Sequence, residues 1–373
     1  MKTPLLDLEP IHKTIREDLR QAVLRVLDSN QFIGGPEIDN FESEIASYCG
    51  VKHAVGVSSG TDALLISLMA LNVGPGTEVI VPAYTFFSTA GSVSRLGAKP
   101  IFCDIDPITF NIDVNKLKNL ISPKTRAIIP VHLFGQCAPM AEIMAIAEDH
   151  GLYVIEDAAQ AIGAKYKSKM AGVMGTTGCL SFFPSKNLGG IGDGGLVMTN
   201  DDTIYDLLVS LRQHGATKRY FHTIIGGNFR LDAIQAAALR IKLTRLNEWS
   251  KVRRENARYY KESLKDLESN GFIKLPVELQ DNFHVYNQFV IRASKRDALQ
   301  SYLSNNGVGS AIYYPLPLHL QECFKGAGLK KGTLPESEMA ANETLAIPIF
   351  PGLTEEQMNL VVMLVYRFYG INI

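Results

Sequence analysis

The sequence lacks the features that mark several special classes of protein. Its 373 residues include one tryptophan and five cysteines, and no two of the cysteines lie close together in the chain: Cys49, Cys103, Cys137, Cys179 and Cys323. An odd, scattered set of cysteines predicts free thiols in a reducing compartment. Net charge is also nearly absent, at −1. We therefore expect no broad electrostatic attraction to nucleic acid or to a membrane surface.

Long apolar runs are missing as well. No stretch reaches the ~18 apolar residues that are needed to cross a membrane. The first residues, Met1-Lys-Thr-Pro-Leu-Leu-Asp7, lack the basic start and apolar core of a signal peptide. No basic helix-turn-helix segment is visible, which argues against DNA binding. We predict a cytoplasmic protein with no membrane partner, no nucleic-acid partner and no metal site.

What the sequence does contain indicates an α/β protein of two domains. Hydrophobic residues make up 46% and charged residues 20% of the chain, a composition that supports a substantial core. Between residues 54 and 198, short apolar strands alternate with helical segments. Such unbroken apolar strands predict a mostly parallel sheet with helices on both faces. Ligands of such sheets bind beyond the carboxyl ends of the strands.

A second domain is predicted after a helical pattern that runs from about Leu231 to about Leu267 without a proline. We expect one long helix there, linking a large domain (residues 1–250) to a small α/β domain (residues 251–373). The predicted strands include Leu180–Phe183 in the large domain and Ala311–Tyr314 in the small one.

The turn Ser59-Gly60-Thr61-Asp62 is the first candidate for ligand binding. It lies between a predicted strand and a predicted helix. Glycine permits a close approach of the backbone, and the first N–H groups of a helix favour an anion. The turn therefore suits a phosphate. The alternative is that Asp62 simply caps the helix.

Asp157 is the second candidate, because it stands at the carboxyl end of a predicted strand, where such sheets place ligand groups. A carboxylate there is suited to pair with a protonated ring nitrogen. A metal ligand or a loop cap is the alternative for this residue.

Lys186 is the third candidate, because it lies in an apolar, glycine-rich turn, Phe182-Phe-Pro-Ser-Lys186-Asn-Leu-Gly-Gly190. Loss of water lowers the pKa of a lysine and makes it a usable nucleophile and base. An ordinary surface lysine is the alternative. The nearby pattern Gly190-Ile-Gly-Asp-Gly-Gly195 matches a dinucleotide-binding motif, but it leads into a predicted strand instead of a helix, so we reject that function.

These pieces occur together with further motifs, in an order that spans nearly the whole chain: Phe32–Glu37, Ser59–Ala63, Val131–Gln136, Glu156–Gln160, Ser181–Gly189, Gly192–Gly195, Gly227–Asp232, Gln235–Ala237 and Tyr314–Gln321. The set resembles the DegT/DnrJ/EryC1/StrS family of nucleotide-sugar aminotransferases, which depend on pyridoxal 5′-phosphate (PLP). The resemblance implies PLP fold type I, the aspartate-aminotransferase-like α/β fold.

The resemblance also implies roles for individual residues. Lys186 and Asp157 would be the catalytic pair, with Lys186 bound covalently to PLP and Asp157 keeping the ring nitrogen protonated. The other cofactor contacts would be a stacking aromatic ring at Phe86, a contact of Gln160 to the ring hydroxyl, and a phosphate site formed by Gly60, Thr61 and Ser181. Asn228 would complete that site from a partner subunit, so the active sites would be shared within a homodimer.

The implied reaction moves an amino group from an amino acid, L-glutamate, to a UDP- or dTDP-linked keto-sugar. Its product would serve surface polysaccharide or lipopolysaccharide synthesis. The pairing of Lys-Asn-Leu-Gly with Gly-Asp-Gly-Gly is similar to members that aminate carbon 3, and amination at carbon 4 stays open. The expected substrate contacts are Lys218, Arg219, Tyr220, His222, Tyr313 and His319. The loop around Lys218 is equally well read as plain surface, and His319 as a packed structural residue.

Two other functions compete with the aminotransferase. A PLP-dependent sugar dehydratase of the same family would carry histidine in place of the cofactor lysine, and Lys186 argues against it. A non-enzymatic regulator that keeps the fold would be expected to lose Lys186 or Asp157, and the sequence has both.

Overall fold

A computed structural model describes residues 2–371 of the chain, which fold into helices packed around two main sheets. The helices are α1 Glu9–Ser29, α2 Pro36–Cys49, α3 Gly60–Ala70, α4 Ser88–Arg95, α5 Val114–Leu117, α6 Met140–His150, α7 Asp202–Leu211, α8 Ala233–Leu243, α9 Leu246–Ser269, α10 Arg296–Asn305, α11 Pro335–Glu343 and α12 Glu355–Phe368. None of these helices is long and apolar enough to cross a membrane.

The strands fall into one seven-stranded sheet, two three-stranded sheets and one two-stranded hairpin. They are β1 His53–Val57, β2 Glu78–Pro82, β3 Lys99–Cys103, β4 Thr125–Ile128, β5 Tyr153–Asp157, β6 Lys165–Tyr166, β7 Lys169–Met170, β8 Thr177–Ser181, β9 Gly195–Thr199, β10 Ala216–Lys218, β11 Phe221–His222, β12 Ile273–Lys274, β13 Asn282–Phe283, β14 Phe289–Ala293 and β15 Thr344–Ile347.

The large sheet has seven strands in the order β1-β9-β8-β5-β4-β2-β3. Its neighbours pair in parallel except β9, which is antiparallel to both β1 and β8. The mostly parallel α/β sheet predicted from the sequence is thus confirmed. Burial on both faces explains why these strands read as unbroken apolar runs, since helices cover each side of the sheet.

A smaller sheet, β12-β14-β15, forms the centre of the C-terminal part. Helices α9, α10 and α12 pack against it through one apolar cluster, which includes Tyr260, Leu299 and Val361. The predicted boundary at residue 250 stays a prediction. It falls inside α9, which runs through that point without a break.

The single long helix predicted from Leu231 to Leu267 is wrong. The segment forms two helices, α8 and α9, which meet at Thr244 and Arg245. No proline or glycine causes this break. The two helices pack into different apolar cores: α8 packs on α1 and α2, whereas α9 packs on the small sheet. Tertiary packing therefore overrides a helical pattern that is continuous in sequence.

Two predicted strands also differ from the structure. Ala311–Tyr314 forms no strand, and only Ala311 makes an isolated bridge, to Ala346. The strand predicted at Leu180–Phe183 lies three residues earlier and ends at Ser181. The apolar side chains that follow, Phe182 and Phe183, belong to the turn that carries Lys186.

Candidate active site

A cavity of about 460 Å³ opens beyond the carboxyl ends of β2, β5 and β8. This is the edge at which parallel sheets place ligand groups. The large domain supplies most of its wall, and residues of the C-terminal part close it from the opposite side. The lining side chains that matter below are Gly60, Thr61, Phe86, Ser88, Asp157, Gln160, Ser181, Ser185, Lys186, Asp193, Gln288, Tyr313 and Tyr314.

Lys186 lies at the bottom of this cavity, on a tight turn. The Lys186 N–H donates to the carbonyl of Phe183 at 2.9 Å. Gly189 is required in this turn, because a Cβ there would lie 2.3 Å from the carbonyl oxygen of Pro184. Burial lowers the pKa of Lys186 to about 8, although the charge of Asp157 opposes that shift. The amine is therefore far more available as a nucleophile near neutral pH than an exposed lysine is.

The turn that carries Lys186 is held from behind by α8. Lys242 is buried and donates to the carbonyls of Gly189 and Gly190, at 2.7 and 3.3 Å. About two turns earlier on the same face of α8, the Gln235 side chain accepts the N–H of Ile191 at 2.8 Å. The glycine-rich segment Gly190–Gly195 leads into the strand β9 and not into a helix. It therefore lacks the structural context of a dinucleotide-binding motif, as predicted.

Asp157 ends β5 and points into the cavity. Burial raises its pKa, and a hydrogen bond from Thr89 (2.8 Å) together with the N–H of Ala159 (3.3 Å) opposes that rise. Within residues 2–371 it forms no salt bridge. A buried carboxylate of this kind is stabilised by a cationic ligand group, such as a protonated ring nitrogen.

Gln160 has its amide oriented by the backbone. Its Oε1 accepts the N–H of Phe134 at 2.7 Å, and its Nε2 lies 3.1 Å from the Tyr314 hydroxyl. The amide N–H group is thereby directed along the cavity wall, where it can donate to a ligand oxygen. Phe86 lies on the same wall, 56% exposed, with its ring centroid 6.1 Å from that of Tyr314.

Gly60, Thr61, Ser88 and Ser181 form a polar cradle at the N-terminus of α3. The helix cap is Ser59, whose Oγ accepts the Asp62 N–H, so the alternative in which Asp62 caps the helix is wrong. Thr61 and Ser88 bond to each other through their hydroxyls at 2.7 Å. A Cβ at Gly60 would lie only 2.6 Å from the Cβ of Ser181. Glycine therefore lets the start of α3 pack closely on the end of β8, beside the helix N–H groups that favour a phosphate.

The basic hairpin does not reach this cavity. Lys218, Arg219, Tyr220 and His222 lie on or between β10 and β11, and none of them is on the cavity wall of its own subunit. Tyr220 is 79% exposed. Lys218 and Arg219 stack on neighbouring aromatic rings, at 4.2 Å from Phe221 and 5.1 Å from Tyr220.

Asn228 is likewise exposed and absent from that wall. Its loop is nevertheless firmly held by backbone hydrogen bonds. The Gly227 N–H donates to Leu211, and the Phe229 N–H donates to Arg212. The side chain is therefore presented outward by a fixed backbone.

His319, a predicted substrate contact, is placed away from the cavity wall. It is 1% exposed, lies in a single 3₁₀ turn, Leu318–Leu320, and bonds to Glu338 at 3.2 Å. The turn after Pro317 directs the imidazole into the protein interior instead of the cavity. The alternative stated from the sequence, a packed structural histidine, describes it. Tyr313, in contrast, lies on the cavity wall.

Several cavity residues were missed by the sequence analysis. No role was predicted for Ser185, Asp193, Gln288 and Tyr314 on the cavity wall, or for Thr89, which bonds to Asp157. Ser185, Asp193 and Tyr314 lie within motifs that carry the family resemblance, whereas no local pattern marks Thr89 or Gln288. A further pair lies just beneath: buried Glu156 accepts from His132 at 2.8 Å and from the backbone of Gly172 at 2.8 Å. Only the acidic Glu156-Asp157 dipeptide was a possible signal for that pair.

Comparison with known proteins now decides the family. The model of the DegT/DnrJ/EryC1/StrS aminotransferase family matches residues 13–366. The chain belongs to this family. As a DegT/DnrJ/EryC1/StrS aminotransferase it uses PLP, and the aspartate-aminotransferase-like fold expected for the family is confirmed by its structural relatives.

Three relatives of this aminotransferase are similar over nearly its full length. The pleiotropic regulatory protein of Geobacillus stearothermophilus is 47% identical over 369 residues, 99% of each chain. The UDP-N-acetyl-3-dehydro-alpha-D-glucosamine 3-aminotransferase of Acidithiobacillus ferrooxidans is 42% identical, over 98% of this chain and 97% of its own. The crystal structure of S. venezuelae DesV in complex with a ketimine intermediate superposes with a TM-score of 0.96, at 39% identity and 100% coverage of both chains.

Proposed function

We propose that this aminotransferase transfers an amino group from L-glutamate to carbon 3 of a UDP- or dTDP-linked keto-sugar, in the cytoplasm. The product would be an amino sugar for surface polysaccharide or lipopolysaccharide. The observation that carries the reaction type is the pair Lys186 and Asp157 in one cavity, with a polar cradle at a helix N-terminus beside them.

Several side chains of the cavity would bind the cofactor, each through a different group. Gly60, Thr61 and Ser181 hold the phosphate of PLP, Phe86 packs on its ring, and Gln160 donates to its hydroxyl. Bound PLP supplies an electron sink for the bond-breaking step at the amino-bearing carbon.

Lys186 moves the proton. Its lowered pKa lets the amine accept a proton near neutral pH and return it. Asp157 keeps a positive charge beside it on the ring nitrogen, because its carboxylate is buried and has no salt-bridge partner within the described residues. Amino donor and keto-sugar would use the same cavity in turn, in a ping-pong scheme.

The choice of carbon 3 rests on the relatives. The A. ferrooxidans enzyme, whose name gives a 3-dehydro sugar and a 3-aminotransferase, is 42% identical to this chain. Amination at carbon 4 is the second candidate for the position. A panel of substrates decides which sugar, and which nucleotide attached to it, the enzyme accepts.

A homodimer with shared sites is part of the proposal. Among the described residues, the cavity wall has one cationic side chain, Lys186, and two carboxylates, Asp157 and Asp193. A nucleotide-sugar pyrophosphate needs more positive charge than that. Lys218 and Arg219 stand exposed on their hairpin, near Ile225, an apolar side chain that is 91% exposed. Two-fold association would bring this region, with Asn228, against the partner's cavity.

The two rival functions are disfavoured by the same residues. A dehydratase of this family would carry histidine where Lys186 stands. A purely regulatory protein has no need of a half-buried lysine in a cavity, or of a buried carboxylate that has no salt-bridge partner among the described residues, and both are costly to keep. The name of the G. stearothermophilus relative makes the regulatory function worth testing in the same experiment.

The test is a panel of 3-keto and 4-keto sugars linked to UDP or dTDP, with L-glutamate as donor and product identification by mass spectrometry and NMR. A 3-amino product is expected, and a 4-amino product would move the reaction to carbon 4. Lys186→Ala is the control variant, expected to fold, to bind PLP without a borohydride-reducible bond and to form no product. Wild-type turnover by this variant would refute the assignment of Lys186.

A further inference from the structure

Arg253 is a buried cation to which no role has yet been given. It lies on α9, is 3% exposed, and makes no salt bridge with any carboxylate of residues 2–371. Its recorded hydrogen bonds all use Nη1, which donates to the carbonyls of Tyr286 (3.2 Å), Asn287 (3.4 Å) and Ile349 (2.8 Å). Burial lowers the pKa of its guanidinium to about 10, and the group stays charged at neutral pH.

A lone buried charge is expensive, and carbonyl dipoles at one nitrogen compensate only part of that cost. A guanidinium has five N–H donors arranged for bidentate binding of a carboxylate. Two other buried arginines of the C-terminal part donate to backbone carbonyls, and each has a carboxylate beside it: Arg292 has Glu343 at 3.0 Å and Arg296 has Asp297 at 2.6 Å. Arg253 therefore differs from Arg296 in lacking an anionic partner among the described residues.

Arg253 also faces open space. A recess of about 40 Å³ lies beside it, and no acidic residue of the described chain lines this space. Its lining consists of five apolar residues together with Arg253, Ser185, Asn287, Gln288 and Tyr313. Three of these residues, Ser185, Gln288 and Tyr313, also line the active-site cavity, so the two spaces adjoin. We call this space the Arg253 recess. Its volume suits one carboxylate or a water or two, since a water occupies about 30 Å³ of liquid. A sugar ring does not fit.

A second polar group of the recess has no partner. The buried Oε1 of Gln288 accepts no hydrogen bond from any residue between 2 and 371. Buried amide oxygens are rarely left this way unless a ligand or water completes them. Because the amide has both a donor and an acceptor end, Gln288 can donate to a carboxylate and accept from an adjacent ammonium group.

The recess is also tied to the catalytic turn. Ser185 directly precedes Lys186. Asn287, whose carbonyl receives the Arg253 bond, donates through its side chain to Asn187 at 3.0 Å. A group held by Arg253 would thus be fixed relative to the backbone that carries the lysine amine.

We propose that the Arg253 recess binds a carboxylate of the amino donor, with Arg253 as its counter-charge and Gln288 bridging the carboxylate and the amino group. This inference rests on the proposed transamination. Among the described residues of one subunit, Lys186 and Arg253 are the two cations that line the cavity and the adjoining recess. Lys186 belongs to the reacting centre, and Arg253 does not. A keto-sugar without a carboxylate has no group to place there, so with such an acceptor the recess would serve only one of the two half-reactions.

The experiment separates those half-reactions by stopped-flow absorbance of the PLP band. L-Glutamate is expected to bleach the PLP absorbance band, and the accepted keto-sugar is expected to restore it. Arg253→Met is expected to lower kcat/KM for glutamate at least 100-fold, and Arg253→Lys about tenfold, while the sugar half-reaction changes less than threefold. Arg296→Lys is the matched control, because it disturbs another buried arginine with carbonyl partners and should leave both half-reactions within threefold of wild type.

A binding measurement accompanies the kinetics. Glutarate, a dicarboxylate without an amino group, is titrated calorimetrically into the wild-type and Arg253→Lys holoenzymes, and at least tenfold weaker binding to the variant is expected. If Arg253→Met fails to fold, the Arg253→Lys results decide. Equal loss in both half-reactions, or unchanged glutarate affinity, would overturn the proposal and leave Arg253 as a structural anchor. If the wild-type band is not bleached by any amino acid, the proposed transamination itself is wrong.

Discussion

Replacing Gly60 with alanine tests whether the cradle at the start of α3 binds the cofactor phosphate. The new Cβ would lie 2.6 Å from the Cβ of Ser181 and 3.2 Å from its Cα, whereas ordinary contacts are 3.4–4 Å. The helix start and the end of β8 must therefore move apart by roughly 1 Å, and overpacking of this kind typically costs about 1–3 kcal/mol of stability.

The movement should also weaken PLP binding. Each hydrogen bond lost to a charged phosphate costs about 1.5–3 kcal/mol. That cost corresponds to an affinity weaker by about 10- to 150-fold. The assay is equilibrium titration of the apoprotein with PLP, followed by absorbance, beside thermal unfolding of the apoprotein.

Gly326→Ala is the matched control. A Cβ at that glycine meets nothing within 4 Å, and its φ is not in the left-handed region. Its stability and its PLP affinity should match the wild type. If Gly60→Ala binds PLP within threefold of the wild-type affinity while Gly326→Ala behaves as expected, the phosphate does not lie in this cradle.

Three further predictions concern the reacting groups and the dimer. Asp157→Asn removes the buried carboxylate and should slow both half-reactions by about 100-fold or more; a change below threefold in stopped-flow rates would contradict its role. The rate at which PLP reacts with the apoprotein should rise with pH with a midpoint near 8, the lowered pKa of Lys186. Between about pH 8 and 10.5 the unfolded chain holds a proton on Lys186 that the folded chain has lost, so Lys186 should also make the free energy of unfolding rise with pH in that window. A midpoint near 10.5 for the reaction with PLP would refute the lowered pKa. Mixing inactive Lys186→Ala with a disabling Asn228 variant should restore activity toward a quarter of wild type, because one of the two sites in each heterodimer is then intact; no recovery despite proven subunit exchange would mean that Asn228 serves its own subunit.

The sequence alone predicted the parts of the site that are encoded in contiguous residues. The Ser59-Gly60-Thr61 turn, the strand end at Asp157 and the turn around Lys186 each consist of a short apolar strand and the residues that directly follow it. Local rules act over such distances, and the carboxyl ends of neighbouring parallel strands necessarily meet at one edge of the sheet. The meeting of these three segments in one cavity therefore followed from fold class alone. The family resemblance added the assignment of roles to individual residues, and these roles stay predictions.

Only the tertiary structure decided how the remaining residues are placed. Gln288 reaches the cavity from a part of the chain about 100 residues beyond Lys186, and no local pattern distinguishes it from neighbours that are buried elsewhere. His319 follows a proline-rich turn that the sequence allowed to point either way, and packing against Glu338 directed it inward. The break between α8 and α9 and the unpaired state of Arg253 have the same origin. Each depends on which surfaces the two sheets bring together, a property of the whole packed chain that no short segment specifies.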